Sequence, residues 1–249
     1  YYPSKEIMDY ANAKCESLYA SAEKDPLGFW EKEAENLYWF QKWDNVLDDS
    51  NKPFFKWFTG AKTNIAYNCL DVHVTTFRRN KLALIWEGEN GDGKTYSYFA
   101  LHRETCKFAN ILKSLGVKKG DRVTLYMGRI PELMIGMLAC ARIGAIHSVV
   151  YGGFSVEALH ERLEDSQSKV LIVADGAFQR GKIIELKKIA DEALQRAATV
   201  ESVLVVKRTG HQINMESGRD MWYHELMNLP IANNSDCLEI VDAEDPLFM

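Results

Sequence analysis

The chain has 249 residues, 47% of them hydrophobic, which is enough to bury a substantial core. Its formal net charge is -5, and Lys and Arg are scattered between acidic residues, so no basic surface suits the backbone of a nucleic acid. The apolar runs fall far short of the roughly 20 residues that a bilayer requires, and the first residues lack the apolar core of a signal peptide, so we expect a cytoplasmic protein that contacts no membrane.

Residues 1–80 are predicted to form a helical and irregular lead-in that is rich in aromatic residues. Asp25 is placed to cap a helix whose first residue is Pro26, and six apolar residues then recur at helical spacing. They are Phe29, Trp30, Ala34, Leu37, Tyr38 and Phe40. We interpret this stripe as core packing. The segment KPFFKWFTG (52–60) is expected to be an irregular connection.

Residues 81–249 are predicted to form an α/β subdomain in which short apolar strands alternate with helices. The strand candidates are LALIWE (82–87), RVTLYM (122–127), AIHSVV (145–150), KVLIVA (169–174) and SVLVVK (202–207). The helix candidates are residues 101–115, the segment after Pro131, the segment after Ser155, and KIIELKKIADEALQRA (182–197). Apolar strands separated by helices of this length imply a parallel sheet covered by helices on both faces.

The segment GENGDGKT (88–95) matches the phosphate-binding pattern G-x-x-x-x-G-K-[ST] and follows a predicted strand. However, Glu87, Glu89 and Asp92 place negative charge where a phosphate needs positive potential, and residues 95–98 favour a strand over a helix. The Asn-Gly and Asp-Gly pairs are typical of hairpin turns. We therefore predict a β-hairpin, and a P-loop NTPase is the alternative.

The polar residues of the sequence indicate no catalytic group and no bound metal in this chain. Its six histidines form no H-E-x-x-H motif, and its five cysteines form no C-x-x-C pair. Ser155 follows Gly-Gly-Phe without a G-x-S-x-G pattern, so we expect it to cap a helix. Reduced, mostly buried thiols are expected at Cys15, Cys69, Cys106, Cys140 and Cys237.

The adjacent glycines Gly152 and Gly153 follow the buried strand that ends near Val150. Open α/β sheets bind their ligands at the carboxyl ends of their strands, and glycines there let a ligand approach the backbone closely. A tight connection between strand and helix is the alternative explanation.

Long segments of the sequence carry a family resemblance: PFFKWFTGAKTNIAYNCLD (53–71), LHRETCKFANILKSLGVKKGDRV (101–123), IPELMIGMLACARIGAIHSVVYGGFSVEALHERLEDSQSKVLIVAD (130–175) and DAEDPLFM (242–249). They closely resemble the AMP-forming acetyl-CoA synthetases, which are adenylate-forming enzymes. The resemblance implies a two-step ligase, in which a carboxylate and ATP, helped by Mg²⁺, form an acyl-adenylate and the thiol of coenzyme A then takes the acyl group.

The resemblance also places the Gly-Gly-Phe-Ser turn and the loop AFQRGK (177–182) beside coenzyme A. Arg180 and Lys182 precede a predicted helix, so two cations, backbone N–H groups and the positive helix end could converge on the 3′-phosphate. The residues expected to bind coenzyme A are Gly152, Gly153, Gln179, Arg180, Gly181 and Lys182.

One departure from the family pattern concerns this loop. The acetyl enzymes usually place arginines at the positions of Gln179 and Lys182, and here the arginine is Arg180. A solvated basic edge is the alternative explanation for the loop. The MGRIP segment (127–131) likewise differs from the proline-containing family version.

The resemblance further implies that the ATP phosphate loop, the ribose-binding aspartate and the adenylation lysine lie beyond Met249. We therefore expect an amino-terminal portion of a longer enzyme, unable by itself to form acetyl-adenylate. Its expected partners are acetate or another short carboxylate, ATP, coenzyme A and the remaining part of the same enzyme. The alternatives are the P-loop NTPase and a non-enzymatic module that binds coenzyme A.

Overall fold

The computed structural model describes residues 2–12, 16–234 and 237–249, which form two compact units. One unit comprises Tyr1–Lys62 and Asp242–Glu244, and the other comprises Thr63–Val241 and Asp245–Met249. Within these described ranges, no helix is both long and apolar enough to cross a membrane. Cys69 and Cys140 are free thiols. Among the four cysteines in the described ranges only Cys140 is buried, so the expectation of mostly buried thiols was wrong, and the expectation for Cys15 lies outside the described residues.

Among its described residues, the first unit contains three helices and an antiparallel strand pair: α1 (Lys5–Tyr10), α2 (Ser17–Lys24), α3 (Pro26–Ala34), β1 (Asn45–Asp48) and β2 (Lys56–Thr59). The predicted cap of α3 is confirmed, because the Asp25 carboxylate accepts a hydrogen bond from the Gly28 N–H at 3.0 Å. The expectation of an irregular connection over residues 52–60 was wrong for its second half. Strand β2 pairs there with β1.

The aromatic stripe of the lead-in does not form the predicted core. Helix α3 ends at Ala34, which is buried, so the later members of the stripe lie beyond the helix. Trp30, Leu37 and Tyr38 are 51%, 53% and 43% exposed. Instead, the rings of Trp43 and Phe58 contact each other edge to face at 5.1 Å between centroids. The core predicted from helical spacing was wrong because α3 ends at Ala34, before the apolar pattern ends.

The remaining strands are β3 (Lys62–Thr63), β4 (Leu82–Glu87), β5 (Gly93–Ser97), β6 (Arg122–Met127), β7 (Ile146–Tyr151), β8 (Val170–Ala174), β9 (Ala177–Gln179), β10 (Lys182–Ile184), β11 (Ser202–Val206), β12 (Asp220–Trp222) and β13 (Val241–Asp242). The remaining α-helices are α4 (Val72–Val74), α5 (Tyr98–Ser114), α6 (Pro131–Arg142), α7 (Val156–Ser166), α8 (Leu186–Leu194) and α9 (Tyr223–Leu226). A π-helix spans Tyr67–Asp71, and 3₁₀ helices span Phe77–Asn80 and Pro230–Asn233.

Five strands of the second unit form an all-parallel sheet in the order β12, β11, β8, β6, β7. Every residue of β8 is buried, which requires cover on both faces of the sheet. Helix α5 packs against α6, and α7 packs against α8. The predicted α/β fold with a parallel sheet and covering helices is therefore confirmed.

A buried ion pair ties the π-helix to α5 and α6. The Arg142 side chain is 0% exposed, and its Nη1 and Nη2 donate to the two carboxylate oxygens of Asp71 at 2.8 and 2.9 Å. The Nε2 atom of His102 lies 3.1 Å from Asp71 Oδ1. Burial raises the pKa of Asp71, but the hydrogen bonds from His102 and Arg142 outweigh burial and lower the pKa to about 2.

We predict that Asp71→Asn destabilises the protein by about 3 kcal/mol at pH 7, because the variant takes the carboxylate away from a buried guanidinium. The pKa of Asp71 in the folded state lies below its ordinary value of 3.8, so its stabilising effect is complete above that value and is lost as the pH falls toward about 2. Urea unfolding at pH 7 and at pH 3 measures this effect.

The free-energy difference between the parent protein and Asp71→Asn should shrink at the lower pH. The exposed Asp165 on α7 provides the control, and Asp165→Asn should stay within about 0.5 kcal/mol of the parent at both pH values. An Asp71→Asn difference that is equally large at pH 7 and pH 3 would contradict the assigned role of the ion pair.

Candidate functional site

A cleft of about 370 Å³ opens at the carboxyl ends of β6, β7 and β8. Because these strands are parallel neighbours, the residues that follow them meet at one edge of the sheet, where ligands bind in folds of this kind. Gly128 follows β6, Gly152 and Gly153 follow β7, and Gly176 follows β8. The end of β4 and the hairpin after β8 supply the other walls.

The two glycines after β7 have different surroundings. A Cβ atom on Gly152 would lie 3.3 Å from the carbonyl carbon and oxygen of Met127, so this turn packs tightly against the end of β6. A Cβ atom on Gly153 would lie 2.6 Å from the ring of Tyr151, a side chain that is 58% exposed. Ser155 then caps α7 by accepting a hydrogen bond from the Ala158 N–H at 3.3 Å, as predicted.

The AFQRGK segment forms a β-hairpin, which corrects the predicted helix over residues 182–197. Strand β10 begins at Lys182 and pairs with β9, and helix α8 begins later, at Leu186. Arg180 and Gly181 form the turn with φ angles of 52° and 72°, the left-handed conformation that a two-residue hairpin turn uses. The positive helix end expected beside these cations is therefore not at the turn.

The six expected coenzyme A residues take three positions. Gly152, Gly153 and Gln179 line the cleft. Arg180 and Gly181 form the hairpin turn next to Gln179, and Lys182 is paired with Gln179 across the hairpin. The Gly181 N–H donates a hydrogen bond to Glu89 Oε1 at 2.8 Å.

The segment that resembles a P-loop is the turn between β4 and β5, and the predicted hairpin is confirmed. The two strands pair antiparallel from Glu87 and Gly93 onward. Gly91 adopts a φ angle of 83°, and its N–H donates to the Gly88 carbonyl oxygen at 2.9 Å. A P-loop needs a helix after its glycines to bind phosphate, and β5 occupies that place. The P-loop alternative is thus not supported.

Arg208 fixes the tip of the β4–β5 hairpin. Its guanidinium donates hydrogen bonds to both carboxylate oxygens of Asp92 and, at 2.9 Å, to Asn90 Oδ1. The hydrogen bond from Arg208 lowers the pKa of Asp92. The same guanidinium lies 4.9 Å from the ring centroids of both Trp86 and Phe178. Arg208 therefore connects the two hairpins that border the cleft.

Asp175 holds the backbone that carries Arg208. Asp175 is 0% exposed and directly follows β8. Its carboxylate accepts hydrogen bonds from the N–H groups of Arg208 at 2.8 Å, Thr209 at 2.9 Å and Gly210 at 2.7 Å. The Gly176 N–H donates to it at 2.7 Å. Asp175 is not among the site residues predicted from the sequence, although an acidic residue directly after a buried strand lies at the sheet edge where folds of this kind bind their ligands.

Charged side chains of both signs line the cleft. Arg129 and Arg208 line it together with the acidic Glu87 and Glu89. The Arg208 guanidinium is bound to Asp92 and Asn90, and the Gly152 turn packs against the backbone of Met127. In the part of the chain that the structure describes, no group of three or more His, Cys, Asp and Glu side chains is arranged to hold a metal ion.

The chain belongs to the AMP-binding enzyme family, whose model matches residues 70–249. Residues 15–69 match the model described as acetyl-coenzyme A synthetase N-terminus. A solved structure of acetoacetyl-CoA synthetase from Streptomyces lividans superposes with a TM-score of 0.84 over 99% of this chain and 40% of that one. Its sequence identity of 22% supports the fold alone.

Several curated relatives are similar along nearly the whole chain, and each is named acetyl-coenzyme A synthetase. The protein from Chlorobaculum tepidum is 51% identical over 94% of this chain and 35% of its own length. The one from Campylobacter jejuni is 51% identical over 99% and 38%. The one from Rubrobacter xylanophilus is 47% identical over 100% and 38%. The chain thus spans little more than a third of the length of these relatives.

We predict that Gly176→Ala destabilises the protein more than Gly153→Ala does. A Cβ atom on Gly176 would lie 2.9 Å from the Ile184 carbonyl oxygen and 3.0 Å from Thr209 Oγ1, so packed backbone has to move, at a cost of about 1–3 kcal/mol. The Tyr151 ring beside Gly153 can rotate into solvent, so that variant should change stability by less than about 0.5 kcal/mol. Thermal and urea unfolding of the two variants test this order, and equal destabilisation would contradict it.

Proposed function

We propose that this chain is the amino-terminal part of an ATP-dependent, AMP-forming acetate–CoA ligase. In the proposed reaction, an acetate oxygen attacks the α-phosphate of ATP, which releases pyrophosphate and leaves acetyl-adenylate. The thiol of coenzyme A, having lost its proton, then attacks the acetyl carbon, and AMP leaves. ATP enters as its Mg²⁺ complex. The observation that carries this proposal is the 47–51% identity along the chain to proteins named acetyl-coenzyme A synthetase.

Within this reaction, the described residues bind and orient coenzyme A. Gly152 and Gly153 line the cleft, and the close packing of this turn against the end of β6 keeps the turn out of the path that we propose for the thiol-bearing arm. Gln179, Arg180, Gly181 and Lys182 meet the 3′-phosphate end of the cofactor through two cations and the Gly181 N–H. This assignment is supported by the exposed position of all four residues on one hairpin beside the cleft. No residue of the chain is assigned a catalytic role.

The proposal extends to the organisation and setting of the protein. Residues 81–249 form the amino-terminal part of the large adenylating domain, and residues 1–80 precede it as a lead-in. Acetate is the first candidate for the acid, and propionate or a longer carboxylate is the alternative. A cytoplasmic location is part of the proposal, and it agrees with the free thiols of Cys69 and Cys140.

We predict that the complete protein containing this chain binds coenzyme A at least about tenfold more tightly than dephospho-coenzyme A, because charge-assisted hydrogen bonds contribute about 1.5–3 kcal/mol each. Reversing the charges with Arg180→Glu and Lys182→Glu together should weaken the binding of coenzyme A by about tenfold or more and leave that of dephospho-coenzyme A within about twofold. Isothermal titration calorimetry measures both affinities.

A charge reversal outside the cleft provides the control. Lys188 is exposed on α8, and Lys188→Glu should leave both affinities unchanged. If the parent protein binds neither compound, or binds both equally well, the assigned phosphate site is wrong.

A further inference from the structure

The tips of the two hairpins beside the cleft meet through one hydrogen bond, from the Gly181 N–H to Glu89 Oε1 at 2.8 Å. In a two-residue hairpin turn, the closing hydrogen bonds belong to the strand residues on either side, here Gln179 and Lys182. The N–H of the second turn residue is thereby left for an acceptor from elsewhere. Glu89, which is exposed on the β4–β5 turn, supplies that acceptor.

The surroundings of this N–H favour an anion. Arg180 and Lys182 are exposed on either side of Gly181, so two positive charges flank the donor. A carboxylate is the acceptor that such a pair attracts when no stronger anion is present. The Glu89 carboxylate thus shows that the Gly181 N–H accepts an anionic partner, and the carboxylate itself occupies that position.

The position of Glu89 is fixed from outside the turn. Arg208 binds Asn90 and Asp92, the neighbours of Glu89 across the same tip, and it packs between Trp86 and Phe178. The tip of the β4–β5 hairpin is therefore held beside the β9–β10 hairpin. Because the Glu89 side chain is exposed, it can move away from the Gly181 N–H and return by side-chain rotation alone.

We propose that Glu89 is a displaceable latch: its carboxylate closes the phosphate site at Gly181 until the phosphate of the ligand replaces it. This inference rests on the proposed function, which supplies the phosphate-bearing ligand. One N–H makes one strong hydrogen bond, so carboxylate and phosphate exclude each other there. A phosphate monoester carries up to two negative charges and attracts the flanking cations more strongly than a carboxylate does. The carboxylate returns to the N–H when the ligand leaves.

Glu89→Gln tests the latch in the complete protein. The amide is a weaker acceptor without charge, so the site stays open and the affinity for coenzyme A should rise by about fivefold, as for a site that is open one-fifth of the time in the parent. Dephospho-coenzyme A has no 3′-phosphate, and its affinity should stay within about twofold. Calorimetry with both compounds, at low and high salt, gives four affinities for the parent protein and four for the variant. The gain in affinity for coenzyme A should diminish at high salt.

Glu89→Asp separates the contact from the charge. Aspartate keeps the negative charge but is one methylene shorter, so it loses the hydrogen bond to Gly181, and the affinity for coenzyme A should rise by at least about twofold. If Glu89→Gln tightens binding while Glu89→Asp matches the parent, the effect is long-range charge repulsion, and the latch is refuted. Glu164→Gln, on an exposed residue of α7, should change neither affinity.

The failure of the latch differs from the failure of the proposed function. A parent protein that prefers coenzyme A over dephospho-coenzyme A, with a preference that Glu89→Gln leaves unchanged, refutes the latch alone. A parent protein without that preference refutes the phosphate site on which the latch rests.

Discussion

The carboxylate of Asp175 is the interaction on which the cleft depends. It lies in the interior at the end of β8, where an unpaired charge would be costly, and four backbone N–H groups surround it. Three of these N–H groups belong to the segment after β11, so a strand end and a distant loop are joined. This junction places Arg208 where it donates hydrogen bonds to Asp92 and Asn90 at the tip of the β4–β5 hairpin.

The geometry of the cleft surface depends on the sheet through a series of contacts. The parallel strands bring three glycine-containing turns to one edge, and Asp175 fixes the loop that carries Arg208 there. Arg208 in turn fixes the tip that places Glu89 against Gly181. A cleft bordered by exposed turns is thus held by one buried polar junction, which gives these surface groups a defined geometry.

Four of the five sheet strands could be predicted from the sequence because they are apolar runs bounded by clear turns, and the β6 prediction matches the strand residue for residue. The edge strand β12 was missed because it has only three residues and none of them is fully buried. The hairpin over residues 177–184 was missed because Ile183 and Ile184 fit a helical pattern as well as a strand. Their pairing with β9 decides between the two. The role of Arg208 is a tertiary contact with residues more than a hundred positions away, which no local pattern reveals.

The most direct test of this account is hydrogen exchange of the backbone amides in Asp175→Asn. An asparagine side chain provides one acceptor oxygen and places an NH₂ group against backbone donors. We predict that exchange becomes faster at residues 208–210 and at the β4–β5 turn, while the amides of β6 and β7 stay protected. Unchanged exchange at residues 208–210 would contradict the claim that Asp175 organises the cleft.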